Sequence, residues 1–519
     1  MKSERDRWQR TLSDLPLGSG GFGSHTMKSV KERIKMLERR ARRRRRAAAT
    51  AIVALLIAGA VVFRGDLTNL LTPKETAKPV ISETETTTLN IMFWDNSTFM
   101  TMYGQPFIIR HPAVRFEYSA YPGAGTGVAN SSVGIDRYRE QLQQSHADLV
   151  QIPLAYVSEL AADGLLKPLG AWMKRDKLTD ESWNTAVRET LREAGGGELY
   201  GFAPEFAGYA LYYNRDLFRE NGVPEPTDGM TWEEAMNTAA RFQGIKKEGK
   251  PVYGLSFGYS TNMGFEAMTI GDSQNLRLAN AGLDQATANA KGWLDLWTKL
   301  ADGHREGWIN NVPDPEWEGG IDVNDLLKQD PFLNGRAAMT YAGNSYMQNL
   351  KDAPAATGFE ADWAVVTQPR DKERDQAIGA FEIPYILAIP AKSASADAAW
   401  ELLKYIMTPS QSERYIRLTR NSSLPTVAAN DGAGDSRSAV FYRASVDPVQ
   451  ILDTAKRNSD PVYSSLAAAV RTEAYNRTKD LADGTLDVPA LLKELQTKAE
   501  QALQAKPAGG GSASGEETP

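Results

Sequence analysis

Cysteine is absent from all 519 residues. Structural disulfides, thiolate metal sites, a cysteine nucleophile and a lipid-modified cysteine are excluded with it. Histidine is scarce: His25, His111, His146 and His304 are scattered, and no pair has the spacing of a helical zinc site. Each reads as a surface histidine or one satisfied in a core. The acidic run DPEWEGGIDVND (314–325) lacks the calcium-loop spacing and its closing glutamate, so it reads as a solvated loop. No repeat with a period of about 20–50 residues is present.

What is there is mostly globular. Hydrophobic residues make up 42% and charged residues 24%, and the length allows two or three ordinary domains. The net charge of −6 hides a split. Residues 1–46 hold 15 Lys and Arg against 5 Asp and Glu, whereas the rest holds 44 against 60. Between the two lies AAATAIVALLIAGAVVF (47–63), 17 residues without a charge. As a helix it would span roughly 26 Å, close to the bilayer core of about 30 Å. Arg42 to Arg46 precede it, and the positive-inside rule then places residues 1–46 in the cytoplasm and the body outside. We read the arginines as topology rather than nucleic-acid binding, and the segment as an uncleaved single-pass anchor. Cleavage after Ala58-Gly59-Ala60 is the alternative.

Residues 1–46 form a basic arm, largely disordered; residues 64–87 a linker; residues 505–519 a low-complexity tail. The body begins near Leu89. LNIMFW (89–94) and VRFEYSAY (114–121) alternate as strands do, DRYREQLQQS (136–145) reads as a helix and ADLVQIP (147–153) as a buried strand. This succession predicts α/β folding on a mainly parallel sheet. TWEEAMNTAARF (231–242) carries a capping box, Thr231 with Glu234, and ADAAWELLKYIM (396–407) an apolar stripe.

Two motif matches are weak. GLSFG (254–258) fits the nucleophile elbow, but a loop follows where a helix is needed, and we read a strand entering a pocket loop. GSGGFG (18–23) follows no strand and opens no helix, so it reads as a flexible segment and not a dinucleotide site. The aromatics are more informative, with 11 Trp and 19 Tyr. Several stand beside polar partners at predicted strand ends, the pairing that stacks on sugar C–H faces and bonds sugar hydroxyls. Packing in a core with one polar handle is the competing account.

Seven segments in order resemble the extracellular solute-binding proteins of family 1, the maltose-binding-like branch that serves ABC sugar transporters. They are LNIMFW, HPAVRFEY, ADLVQIP (with Ala147 where proline is usual), LAADGLLKPL, ELYGFAPEFAGYALYYNRDLFRENGVPEPTDGMTWEEA, FLNGRAAMTYAGNSYM and AAWELLKYIMTPSQSE. The resemblance covers roughly residues 88–504. It implies a two-lobed periplasmic-binding-protein-like fold (type II) with a hinge, here preceded by one transmembrane helix. Lobe 1 would hold about 88–205 plus 365–392, and lobe 2 about 206–364 plus 393–504. ALYYNRDLF (210–218) would be a strand entering lobe 2, ended by Asn214, its tyrosines serving hinge and core.

Carried over position by position, the resemblance implies a ligand site of Trp94, Asn96, Ser97, Gln151, Glu205, Phe206, Tyr259, Asn262, Tyr341, Asn344, Tyr346, Phe381 and Glu382, with Tyr209 near the cleft. The family often has G-x-W where this chain has Gly343-Asn344-Ser345, leaving Tyr346 as the substitute for stacking. The implied protein is a membrane-anchored receptor that hands a carbohydrate, an oligosaccharide, to ABC permease subunits. No catalytic residue, cofactor, metal or nucleic-acid partner is implied. A sensor coupled to a signalling membrane protein is the alternative. So, further off, is a carbohydrate-active enzyme, which needs paired carboxylates about 5–9 Å apart.

Overall fold

The computed structural model describes residues 80–122, 133–258, 262–311, 323–360, 362–373, 381–420, 422–427 and 436–505. The basic arm, the apolar segment 47–63, the linker up to residue 79, most of the acidic run and the C-terminal tail lie outside the described residues, as does GSGGFG. Among the described residues no helix is long and apolar enough to cross a membrane.

The strands are β1 (Thr87–Met92), β2 (Val114–Tyr118), β3 (Leu149–Ile152), β4 (Gly201–Phe202), β5 (Glu205–Asn214), β6 (Lys246–Lys247), β7 (Lys250–Pro251), β8 (Tyr253–Ser256), β9 (Ala337–Gly343), β10 (Trp363–Thr367), β11 (Phe381–Glu382), β12 (Ile386–Ala388) and β13 (Leu424–Pro425). They build two main sheets, and β6 and β7 form a small hairpin. Lobe 1 has the order β2-β1-β3-β12-β4; β1 runs parallel to β2 and β3, while β12 is antiparallel to β3 and β4. Lobe 2 has the order β10-β5-β9-β8. LVQI of β3 is buried on both faces, which is why it reads as an apolar run rather than an alternation.

Strand β5 joins the lobes. Glu205 and Phe206 pair with β13, Ala207 and Gly208 with β11, and the remainder with β9 and β10 in lobe 2. Period-two alternation divides its side chains. Leu211 and Tyr213 enter the core of lobe 2, whereas Phe206, Ala210 and Tyr212 join a core continuous with that of lobe 1. Asn214 ends the strand and caps the next helix (Arg215–Glu220), its Oδ1 accepting from the Leu217 N–H at 3.2 Å. Leu217 and Phe218 are buried behind it. The run ALYYNRDLF thus reads as one continuous instruction: cross, pack both faces, stop, turn.

The chain returns to lobe 1 between β10 and β12. It crosses again at Asp460, where the helix Pro448–Ser459, packed on lobe 1 through Ile451 and Leu452, gives way to the helix Pro461–Ala482, packed in lobe 2 through Leu466 and Val470. Asp460 caps the second helix, accepting from the N–H groups of Val462 and Tyr463.

Two of the expected lobe boundaries are corrected. Strand β10 belongs to the sheet of lobe 2, so the return lies after Thr367 rather than at 365. The helix Ala396–Ile406 packs on lobe 1, not lobe 2, with Trp400, Leu402 and Leu403 fully buried there. Polar contacts fix it. The Asp148 carboxylate accepts from Asn90 N–H, Ser393 Oγ and Ser395 N–H, at 3.0, 2.7 and 3.0 Å, and so ties the helix entry to β1. Trp400 stacks on Trp172 at 5.8 Å and donates to Asp176. Burying each such large side chain contributes roughly 1.5–3 kcal/mol, so the helix is firmly seated.

Ser256 of GLSFG is buried on β8 and lies 3.4 Å from the Met339 carbonyl, which it faces instead of a histidine. His304 is buried elsewhere, its Nε2 2.8 Å from Glu266 Oε2. The elbow reading therefore has no base, and the strand reading holds.

Candidate functional site

A cavity of about 290 Å³ lies where the crossings meet. Lobe 1 supplies Tyr121 beyond β2, and Gln151 with Pro153 at the end of β3; β5 supplies Ala207 and Tyr209. The return segment gives Phe381, Glu382 and Tyr385, lobe 2 gives Asp272, and the helix 448–459 gives Thr454 and Asn458. The ends of parallel strands of an open α/β sheet leave just such a crevice.

The aromatic walls are braced from behind. Phe381 stacks on the fully buried Phe206 at 5.1 Å, and Tyr209 lies 5.3 Å from Tyr341. Tyr121 shares a 2.8 Å hydroxyl contact with Tyr138. Tyr385 lies 3.0 Å from the Tyr103 hydroxyl and donates to Glu205. Gln151, itself buried, accepts from the Trp94 N–H at 3.1 Å, which fixes its amide at the mouth of β3.

Three carboxyl groups set the electrostatics. Burial pushes Glu205 up to about 7, although Ser423 and Tyr385 donate to it; the charge of Glu382 adds to the rise. Burial also raises Glu382, although the residue as a whole is exposed and lines the cavity. Asp272 is raised by burial and drawn back by Arg457, Arg471 and Arg277. It still exposes 39% of its side chain.

Of the residues implied by resemblance, the structure brings Gln151, Phe381 and Glu382 to the cavity wall. Glu205 and Phe206 lie one layer behind it. Trp94 is 49% exposed outside the lining, and Asn96 and Ser97 sit on the first turn of an exposed helix, where Ser97 donates to Asp95 at 2.9 Å. Asn262 caps the helix Met263–Ser273 instead of facing the cavity. Tyr341 and Tyr346 are core residues, their hydroxyls directed to Gln368 and Asp330. Asn344 is a hinge staple: it exchanges hydrogen bonds with the backbone of Gly208 and donates to the Ser422 carbonyl. All three are buried and hydrogen-bonded within the protein. Tyr259 lies outside the described residues.

Residue reasoning missed Tyr121, Asp272, Tyr385, Thr454 and Asn458. Tyr385 stood three residues from Glu382 in FEIPY and was within reach of the same argument. Asp272 and the helix 448–459 carried no signal of their own.

A two-lobed α/β fold with its cavity at the crossing strands defines the class of solute-binding proteins. The chain belongs to one family of that class, the bacterial extracellular solute-binding proteins, whose family model matches residues 128–440. A maltooligosaccharide ABC transporter solute-binding lipoprotein of Streptococcus pneumoniae is 22% identical over 378 residues, which cover 70% of this chain and 79% of that protein. Among solved structures, an extracellular solute-binding protein family 1 member from Alicyclobacillus acidocaldarius superposes with a TM-score of 0.54 at 14% identity, covering 81% of this chain and 99% of the other. The sugar-binding protein MalE from Xanthomonas citri gives 0.51 at 18% identity, covering 81% and 98%. At such identities the likeness concerns the fold.

Proposed function

We propose that this chain is an extracellular receptor that captures a carbohydrate, an oligosaccharide, between its lobes and delivers it to ABC permease subunits in the membrane. One observation carries the reading: aromatic faces (Tyr121, Tyr209, Phe381, Tyr385) and hydrogen-bonding groups (Gln151, Glu382, Asn458) converge on one inter-lobe cavity. Aromatic faces take sugar C–H surfaces and the polar groups take hydroxyls. Contacts from both lobes favour closure, because a ligand shifts the equilibrium only by what it gains in the closed state. The pneumococcal relative, described as a maltooligosaccharide-binding lipoprotein, supports both the ligand class and a tether. This sequence has no cysteine for a lipid, so the apolar segment 47–63 takes the part of the anchor, with residues 1–46 cytoplasmic. The role is binding rather than catalysis, a reading that the match to a solute-binding family model supports.

The test is thermal melting of the full chain, followed by tryptophan fluorescence, in a detergent without a sugar headgroup. Neutral, amino and acidic oligosaccharides are added in turn, with peptides and polyamines beside them. A ligand at about 100 times its Kd adds about 2.7 kcal/mol of stability. A shift with one sugar class, and the sugar recovered intact, is the expected result. A flat response to all sugars, or a cleaved product, overturns the reading. Loss of sugar uptake on deletion of the protein separates delivery from sensing.

A further inference from the structure

We propose that Glu382 is the specificity-determining residue of the cleft, selecting ligands that present hydrogen-bond donors, neutral or amino sugars, and rejecting acidic ones. The inference rests on the receptor reading and narrows its substrate class.

The geometry begins with β11. Its two residues pair with β5, Phe381 opposite Gly208 and Glu382 opposite Ala207. Strand alternation turns Phe381 into the stack on Phe206 and Glu382 into the cavity. There the Glu382 carboxylate makes no hydrogen bond or ion pair with any described residue. A carboxylate accepts only, so its natural partner is a donor: a hydroxyl or a protonated amine.

The surroundings reinforce this. Among the described residues that line the cavity there is no lysine, arginine or histidine. Arg457, the cation paired with the lining residue Asp272, is 8% exposed and is engaged by Asp272 and Asp453 at 3.4 and 3.6 Å. Glu205 stands behind the wall, close enough for the two carboxyls to feel each other. A carboxylated or phosphorylated sugar would meet acids in front and no partner for its own charge, and like charges brought together in a desolvated site weaken binding steeply. A neutral sugar donates its hydroxyls to Glu382 and Gln151, and an amino sugar adds a charge-assisted bond.

The experiment is calorimetric titration of the full chain with three size-matched oligosaccharide classes: neutral gluco-oligosaccharides, deacetylated chito-oligosaccharides and oligouronates. Binding within the neutral or amino class, with oligouronates at least about tenfold weaker, is the expected outcome. Oligouronate binding as tight as the neutral class overturns the inference and leaves the receptor reading standing. Silence from all three classes fails the receptor reading itself. Glu382→Gln, which keeps size and polarity, is expected to narrow the discrimination against oligouronates about tenfold, whereas Glu382→Asp keeps it. An unchanged ratio in Glu382→Gln, with the melting of the unliganded protein also unchanged, sinks the assignment.

Discussion

Two carboxylates line the same cavity, Asp272 and Glu382, and they are handled differently. Asp272, from lobe 2, accepts from Arg457 of the helix 448–459, which packs on lobe 1; beside them Arg277 of lobe 2 meets Asp453 of that helix at 2.5 Å. Glu382 has no hydrogen-bond or ion-pair partner among the described residues, and the donors that Glu205 behind it has there are neutral, Ser423 and Tyr385. The first wall is an ionic seam between the lobes. The second is an acceptor surface held open for something else. Charge paired across a crossing contributes to structure, and charge left unpaired in a cavity is available to a ligand.

The largest expected effect comes from stripping the seam of its acids. Arg457 is the buried member, and its Nε and Nη1 have no hydrogen-bond partner among the described residues. It depends on the Asp272 and Asp453 carboxylates for compensation. Asp272→Asn with Asp453→Asn together should cost about 3–5 kcal/mol by leaving a buried cation unpaired. Adding Arg457→Met should recover most of that loss, since an apolar chain of similar length needs no counter-ion. Urea denaturation of the three proteins checks this. A double variant as stable as the parent would mean that the seam is not structural.

The contrast between the walls could not be read from the sequence, and the reason is specific. Alternation in β1 and β2 and the capping box at Thr231 and Glu234 are local, and local pattern predicted them; the end of the strand at Asn214 came from the family resemblance. The stripe of residues 396–406 announced that one face is buried. It carried no information on which lobe receives it; that was decided by Asp148 and Trp172, more than two hundred residues away. The same limit blurred the site. An asparagine beside tyrosines looks alike whether it bonds a sugar hydroxyl or, as Asn344 does, the backbone of Gly208. Gln151 and Glu382 line the cavity, as the carry-over from sequence expected: Gln151 from the end of ADLVQIP and Glu382 from IGAFEIPY, both placed by the family resemblance. Asp272 and Asn458 reach the cavity only through the packing of helices.

A middle-sized effect is expected from Glu205, and it depends on pH. Its folded value of about 7 lies above its ordinary 4.5, so the folded state holds the proton more tightly than the unfolded chain. The relative stability this gives is fully present below pH about 4.5 and is lost as pH rises through about 7. Glu205→Gln keeps an acceptor for Tyr385 and never ionises. It should match the parent near pH 4.5 and exceed it by on the order of 2–3 kcal/mol at pH 8. Chemical denaturation across that range gives the difference directly. A difference independent of pH would show that Glu205 is not charged at a cost in the folded protein, and the acceptor wall would lose one of its two acids.

The smallest effect sharpens the comparison within the seam itself. Arg277 and Asp453 are as close as any pair there, but their side chains are 25% and 42% exposed, against 8% for Arg457. Water and salt screen such a pair, and holding two long side chains together costs entropy. A double-mutant cycle with Arg277→Met and Asp453→Asn should therefore give a coupling of only about 0.2–1 kcal/mol at low salt, falling toward zero at about 1 M salt. The cycle must be run with Arg457 intact, because Asp453 also compensates that residue. A coupling that survives high salt would mean that the pair is shielded from water, and that closure of the lobes seals the seam as tightly as it seals the cavity. A coupling that vanishes leaves Arg457 and Asp272 as the part of the wall that resists opening, with Arg277 and Asp453 only orienting the lobes as they meet.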